Sequence, residues 1–256
     1  PTYVSAIVYG ELLDYSGFLQ TFFRENYQIA NYFFPDIRSL GGAIFIFIFT
    51  LYPYVYIISR SAFSEISYSY NEIGQTLGLN NTKIFFKIFI PLTGFSILGG
   101  TILSILESLN DFGTVQYFGV DTFTTGIYTT WIGLGEIKTA SQLSLFFLFF
   151  IFLIIYFQKR ILAKKRININ RNTSNEFKQI KTGNLKSSIF FLYCFIPILI
   201  GFIIPLITLI YWFSQIWDFS IINSSLINAK NTIILSIISC FLIITLSILI
   251  NYSSRI

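Results

Sequence analysis

The stretch Glu72-Ile-Gly-Gln-Thr-Leu-Gly78-Leu-Asn-Asn-Thr-Lys-Ile-Phe-Phe-Lys-Ile88-Phe-Ile90-Pro91 decides how the rest of the chain is read. It carries charges, amides and a mid-segment glycine, yet it lies between two apolar runs, Leu40–Ser59 and Pro91–Leu109. About 20 helical residues cross a hydrocarbon core of roughly 30 Å, so each run is long enough to span a bilayer. A hydrophilic insert between two such spans has to fold outside the lipid, where water satisfies its polar groups. Within the insert, residues 64–77 have helix-compatible spacing. Gly78 fits the position just past that helix, which commonly takes the left-handed conformation that glycine adopts without steric cost. Asn80-Asn81-Thr82 then turn the chain and cap a second short helix carrying Ile84, Phe85, Phe86, Ile88 and Phe89. Pro91 suits the first turn of the span that follows.

Composition agrees with a membrane setting. The chain has 256 residues, 54% of them hydrophobic and only 11% charged, where a soluble domain holds about 25% charged residues. The expected fold class is all-α, a polytopic transmembrane helical bundle. The net charge is +5, but in such a protein the distribution of charge matters more than its sum; the basic balance does not imply a nucleic-acid partner. Cys194 and Cys240 each sit in an apolar run and read as small packing residues. The chain has no histidine, the commonest metal ligand, which argues against a metal-dependent intramembrane enzyme. It also has no methionine and begins at Pro1, so the expectation is an internal piece of a longer protein.

Taken outward from the insert, the chain reads as follows. Residues 1–13 are apolar but short, the tail of a truncated helix, with Glu11, Asp14 and Gly17 marking its exit into water. Residues 14–38 are amphipathic and aromatic (Tyr15, Phe22, Phe23, Tyr27, Tyr32, Phe33, Phe34) and suit a short helix at the headgroups, followed by a turn at Phe34-Pro35-Asp36. Leu40–Ser59 is the first complete span, kinked by Pro53. In the second, Pro91–Leu109, Ser96, Gly100, Ser104 and Ser108 repeat every four residues and form a face of small side chains. Such a face lets helices approach closely in lipid, and the same residues, with Glu107 and Asp111 at the span's end, are candidates for a translocation path. Residues 110–142 are expected to be a partly re-entrant loop. Ala140–Phe157 is a third span, Ser188–Phe213 a fourth with Pro197, Gly201 and Pro205, and Asn231–Ile250 a fifth, with 214–230 as a loop before it.

Orientation comes from residues 158–187. Nine Lys and Arg there face Glu176 as the one carboxylate. Lys and Arg flanking spans favour the cytoplasmic side. Parity then puts 60–90 in the cytoplasm and 14–38, 110–142 and 214–230 outside. The basic segment also reads as a linker in contact with anionic lipid.

The pattern of Glu72, Gly78 and Ile88-x-Ile90-Pro91 resembles the EAA motif of ABC importer permeases, whose form is Glu-Ala-Ala-x3-Gly-x9-Ile-x-Leu-Pro. The one departure is Ile73-Gly74 in place of Ala-Ala. Further stretches resemble the fused permeases of ferric-iron importers: Arg38-Ser-Leu-Gly-Gly42, Leu51-Tyr-Pro-Tyr-Val-Tyr56, Asp111-Phe-Gly-Thr-Val, Tyr117-Phe-Gly and Phe123-Thr-Thr-Gly-Ile-Tyr128. The resemblance implies the type I ABC importer permease fold. Residues 1–157 would be most of a first permease half, 158–187 a cytoplasmic linker, and 188–256 the first two spans of a second half. It also implies that Glu72, Ile73, Gly74, Gly78, Ile88, Ile90 and Pro91 form a coupling segment docked on a dimer of ABC ATPase subunits. Those subunits would bind ATP and magnesium; this chain has no phosphate-binding glycine loop and no cofactor of its own. A periplasmic substrate-binding protein would deliver the ligand, ferric iron, to the outer face of a permease in the bacterial inner membrane.

Two alternatives remain beside this one. A permease of the same architecture for thiamine or a phosphonate would have the same pattern. An ion-coupled secondary transporter would place ionisable residues near mid-span, and the five runs have none at their centres. The topology has a direct check: a cysteine near Gly78 should react with a membrane-impermeant maleimide only after the cells are opened, and labelling from outside intact cells would overturn the orientation.

Overall fold

The computed structural model describes residues 1–27, 35–66, 69–163, 183–215 and 219–253. Tyr32, Phe33, Phe34, Trp217 and the greater part of the basic linker lie outside the described residues. All regular secondary structure among the described residues is helical. Among the described residues, five stretches are long and apolar enough to cross a membrane: Leu40–Ser64, Asn81–Asn110, Ile137–Ile161, Ser187–Gln215 and Ser225–Ser253. Each overlaps one span expected from the sequence. The chain divides into two compact units, Pro1–Thr208 and Leu209–Ile256.

The packing centre of the first unit is α1 (Thr2–Leu13), the segment read from sequence as a short helical tail. Its small residues allow this role: Ser5, Ala6 and Gly10 are buried together with Val8 and Tyr9. After a turn, α2 (Phe18–Tyr27) is the amphipathic helix expected there. The first full span, α3 (Leu40–Ser64), begins on Ser39, whose hydroxyl accepts the Gly42 N–H at 3.2 Å. Such a cap supplies a partner for one of the four open donors of a helix start. Ala6 and Tyr9 of α1, Ile37, and Ala43 and Ile46 of α3 join Phe118 in one buried apolar cluster.

The helix α3 runs five residues past the expected end at Ser59, so the insert starts later than the hydropathy suggested. The insert consists of α4 (Ser69–Thr76) and α5 (Asn81–Ile84). The expectation that a second short helix ends before Pro91 is corrected: α5 runs through a π-helical turn, Phe85–Phe89, directly into α6 (Ile90–Asn110). In that turn the Ile90 N–H reaches back five residues to the Phe85 carbonyl. Proline has no N–H and its ring crowds the carbonyl four residues before it. A widened turn relieves that crowding without breaking the helix.

The small-residue face of α6 packs on α3. A Cβ at Gly100 would stand 2.8 Å from the Val55 Cα. The Ser104 hydroxyl donates to the Leu51 carbonyl at 3.3 Å. The expected loop over 110–142 is largely helical instead. It folds as α7 (Gly113–Tyr117) and α8 (Phe123–Tyr128), then a π-helical turn over Thr129–Gly133. Capping drives these short helices: the side chains of Thr122 and Thr125 bond reciprocally to each other's backbone N–H. The helix α9 (Ile137–Ala163) follows, with Phe147 stacked on Phe123 at 5.6 Å. The fourth span is α10 (Asn184–Ile198), a π-helical turn at Leu199–Ile203, and α11 (Ile204–Gln215), within which the unit boundary falls.

The second unit is dominated by α12 (Phe219–Ser253). The expected loop over 214–230 is therefore corrected from Phe219 onward. Serines and asparagines lower the hydropathy there, but residues 219–230 contain neither Gly nor Pro to end a helix.

Gly100→Ala forces α3 and α6 apart at a backbone contact, and overpacking of this kind costs about 1–3 kcal/mol. Gly99→Ala meets open space. Thermal melts in detergent should show a lower midpoint for Gly100→Ala and none of that loss for Gly99→Ala.

Candidate functional site

The hydrophilic insert folds as a compact hairpin. The end of α4 has the hydrogen bonds of a Schellman motif: Gly78 N–H to Gln75 carbonyl at 2.9 Å and Leu79 N–H to Gly74 carbonyl at 3.0 Å. Gly78 has φ +73°, so the left-handed residue is the glycine the sequence pointed to. Asn80 starts α5, its side chain accepting the Asn81 N–H at 2.7 Å.

Gly74 closes the hairpin. It is buried, and a Cβ there would stand 2.7 Å from Ile84 Cγ1 and 3.2 Å from Ile88 Cδ1. Ile84 itself is 1% exposed. The departure from Ala-Ala thus has a local reason: the bulk withheld at residue 74 is supplied by Ile84 from the facing helix. At the base, Phe85 stacks on Phe63 of α3 with ring centroids 6.1 Å apart, and Ile66 is buried. Sequence reasoning missed the Phe63–Phe85 stack, which depends on how far α3 extends past Ser59, and the packing of Ile84 on Gly74, which depends on how the two short helices face each other.

What the hairpin leaves outside is as specific as what it buries. Glu72, Ile73, Gln75, Thr76 and Leu77 are exposed; Leu77 is 70% exposed and Ile73 52%. Glu72 lies in the first turn of α4, where a carboxylate complements the helix dipole. The structure therefore presents Glu72 and Ile73 on one short helix, with Gly74 inside and Ile88 half-buried beside it. Ile90 and Pro91 stand at the head of α6, where the hairpin joins the span. The surface is a short, partly apolar ridge.

The residues considered for a translocation path separate in the structure. Gly100 and Ser104 face α3. Ser108 and Asp111 line a cleft of about 360 Å³ with Thr122, Thr124 and Phe147. Ser104 and Ser108 also border a second cleft, of about 430 Å³, against α3. Ser96 is half-buried and Glu107 exposed. The Asp111 carboxylate is engaged: Thr114 donates its N–H at 2.8 Å and its hydroxyl at 3.2 Å, and the Thr2 hydroxyl donates as well. It ties α1 to the start of α7. Among the described residues no group of three or more His, Cys, Asp or Glu is placed to hold a metal ion.

A second polar cluster stands at the other end of α1. Arg38 pairs with Asp14 at 3.1 Å and Glu11 at 3.8 Å, and its guanidinium lies 5.1 Å from the centre of the Tyr117 ring. The Tyr117 hydroxyl donates to Glu11 at 3.1 Å. Burial, and next the Glu11 carboxylate that accepts this bond, push the Tyr117 hydroxyl above its usual pKa. Arg38-Ser-Leu-Gly-Gly42, quoted above only as part of a pattern, thus supplies both a helix cap and an ion pair.

Helical spans, a short capped hairpin between two of them and a proline at its exit define a helical membrane protein built to present that hairpin. The chain belongs to the family described as the binding-protein-dependent transport system inner membrane component, which it matches over residues 19–168. It is similar to the sulfate transport system permease protein CysT of Salmonella typhimurium, 29% identical over 117 residues, covering 46% of this chain and 40% of that protein. It is also similar to a Bacillus subtilis protein, YvgM, described as a molybdenum transport system permease, at 26% identity over 129 residues, 44% of this chain and 57% of that protein. The chain thus matches less than two thirds of either relative's length. No solved structure matches it.

Gly78→Ala places a Cβ in the left-handed region, at a cost of about 1–2 kcal/mol. Gly74→Ala gains up to ~1 kcal/mol of helix propensity against about 1–3 kcal/mol of overpacking. The nearest atom is Ile84 Cγ1, on a buried β-branched side chain that has little room to swing away, so crowding outweighs the propensity gain. Hydrogen exchange at the Leu79 amide should accelerate at least fivefold in Gly78→Ala and by a smaller factor in Gly74→Ala.

Proposed function

We propose that this chain forms part of the permease of an ATP-driven importer, and that the hairpin from Ser69 to Phe89 is its coupling element. The observation that carries the proposal is the exposed ridge Glu72-Ile73-Gln75-Thr76-Leu77 on a hairpin held shut by Gly74 and Gly78, on the side that charge asymmetry assigns to the cytoplasm. Such a ridge suits a cleft on a separate ATPase subunit, with Glu72 supplying a charged contact and Ile73 and Leu77 an apolar one. The continuous helix from Asn81 to Asn110 links this contact to the span: a displacement of the hairpin is passed to α6 through the Phe85–Phe89 turn rather than absorbed in a loop. ATP and magnesium are bound by the partner ATPase dimer, and a substrate-binding protein brings the ligand to the outer face. Residues 1–157 act as most of one permease half, 158–187 as the cytoplasmic linker, and 188–256 as the start of a second half.

For the cargo, ferric iron is our reading. Segments 14–38 and 110–142, outside by parity, hold the carboxylates Asp14, Glu25, Asp36, Asp111, Asp121 and Glu136 against the cations Arg24, Arg38 and Lys138. A face with that imbalance raises the local concentration of cations and lowers that of anions. The names of the two relatives point instead to sulfate and molybdenum, so oxyanion uptake is the competing outcome.

In cells carrying the full-length protein with its neighbours, uptake of labelled ferric iron, sulfate and molybdate separates the two. Iron uptake alone is expected; uptake of an oxyanion and no iron would replace the cargo assignment. Glu72→Arg should lower uptake at least tenfold, with ATP hydrolysis persisting and membrane insertion intact. Unchanged uptake in that variant would remove the hairpin from the coupling role.

A further inference from the structure

Two proline residues in different spans each leave a carbonyl without its helical donor, and both carbonyls meet at one junction. Pro53 of α3 cannot donate to Phe49, four residues earlier. That Phe49 carbonyl lies against Gly201, where a Cβ would stand only 2.1 Å from its oxygen. In the π-helical turn Leu199–Ile203, the Ile204 N–H bonds to Leu199 instead of Ile200. The next residue, Pro205, has no N–H to offer, so the Ile200 carbonyl has no partner within its own helix. The Tyr9 hydroxyl of α1 donates to it at 2.6 Å. Ile200 and Ile204 also pack on the buried cluster around Ala6, Tyr9 and Ile46.

We propose that this junction is a fixed fulcrum: α1, α3 and the helix from Ile200 to Thr208 move as one body throughout transport. Opening it would strand the Ile200 carbonyl in hydrocarbon, where no water replaces the Tyr9 hydroxyl. Sliding it would drive the Gly201 neighbours of the helix into the Phe49 carbonyl, because only glycine fits there. The small-residue contact of Gly100 and Ser104 joins α6 to the same body from the other side of α3. Motion transmitted by the hairpin then turns this body as a whole, and the helices that change neighbours are others. The residues after the linker are thus clamped to those before it by sequence features of both: Tyr9 and Pro53 on one side, Gly201 and Pro205 on the other.

The reference to transport rests on the function proposed above, so the test has two readouts. In the full-length protein with Cys194 and Cys240 replaced by serine, cysteines are placed at Phe45 or Phe49 and at Ile200 or Ile204. They are bridged in membranes with a short, reducible bis-methanethiosulfonate. The yield of bridging should be high and unchanged by ATP; a severalfold fall with ATP, or no bridge in any pair, overturns the fulcrum. This readout does not depend on the cargo. The bridged protein should retain at least half the iron uptake of its unbridged parent, and a loss reversed by reduction overturns the proposal. A parent that transports nothing counts against the proposed function alone, since the bridging yield still decides the junction. Tyr9→Phe, which keeps the ring and removes the hydroxyl, should lower the bridging yield at least twofold, and an unchanged yield would remove Tyr9 from the clamp.

Discussion

A backbone carbonyl inside hydrocarbon has no water to turn to, and each one left without a donor costs several kcal/mol. That constraint organises this protein. Most carbonyls meet it by helix formation alone. Prolines inside the helices create exceptions, and three of them, Pro53, Pro91 and Pro205, leave their carbonyls in different settings. At Pro53 the vacated oxygen is pressed on Gly201; at Pro205 the vacated Ile200 oxygen receives the Tyr9 hydroxyl. At Pro91 the same shift of register frees the carbonyl of Phe86, a residue 63% exposed at the polar end of its helix. Two of the three lie where helices join, and the third lies where the hairpin leaves the bundle.

The hairpin follows a different logic. It buries little, and its shape is set by conformational terms of about 1 kcal/mol apiece: a left-handed glycine, an asparagine cap and a glycine that admits a neighbouring isoleucine. The energy is small but the shape is definite, because the hairpin is tied at its base by the Phe63–Phe85 stack and continues without a break into α6. A short element exposed to water and rigidly joined to a span is suited to receive a force.

Much of this was legible in the sequence. The five spans follow from length and hydropathy, and Gly78 and Asn80 from the chemistry of helix ends. Three things were not legible. The helix over 219–230 was hidden because Ser and Asn depress hydropathy without breaking a helix. The burial of α1 was hidden because twelve residues cannot span a bilayer, which says nothing about what they pack against. The Gly201–Phe49 and Tyr9–Ile200 contacts join residues 152 and 191 positions apart, and no local pattern announces them. The face of Ser96, Gly100, Ser104 and Ser108 was legible as a face, but its two uses were not separable until Gly100 and Ser104 were seen against α3 while Ser108 lined a cleft.

The wide turn at Phe85–Phe89 has a geometric corollary. An α-helix advances about 100° per residue, and a π-type turn holds one residue more than the chain would otherwise need. A helical wheel drawn straight through from Ile84 to Asn110 is therefore out of phase on one side of the turn. Loss of a single residue there would let ordinary winding resume. It would leave Gly100 in nearly the same angular relation to the hairpin, whereas loss of a residue from the regular part of α6 before Gly100 would turn it by about 100°. The five-residue segment thus takes up one residue without changing the angular alignment between the exposed ridge and the seam deep in the bundle, and a single deletion is absorbed there more readily than in the regular helix that follows.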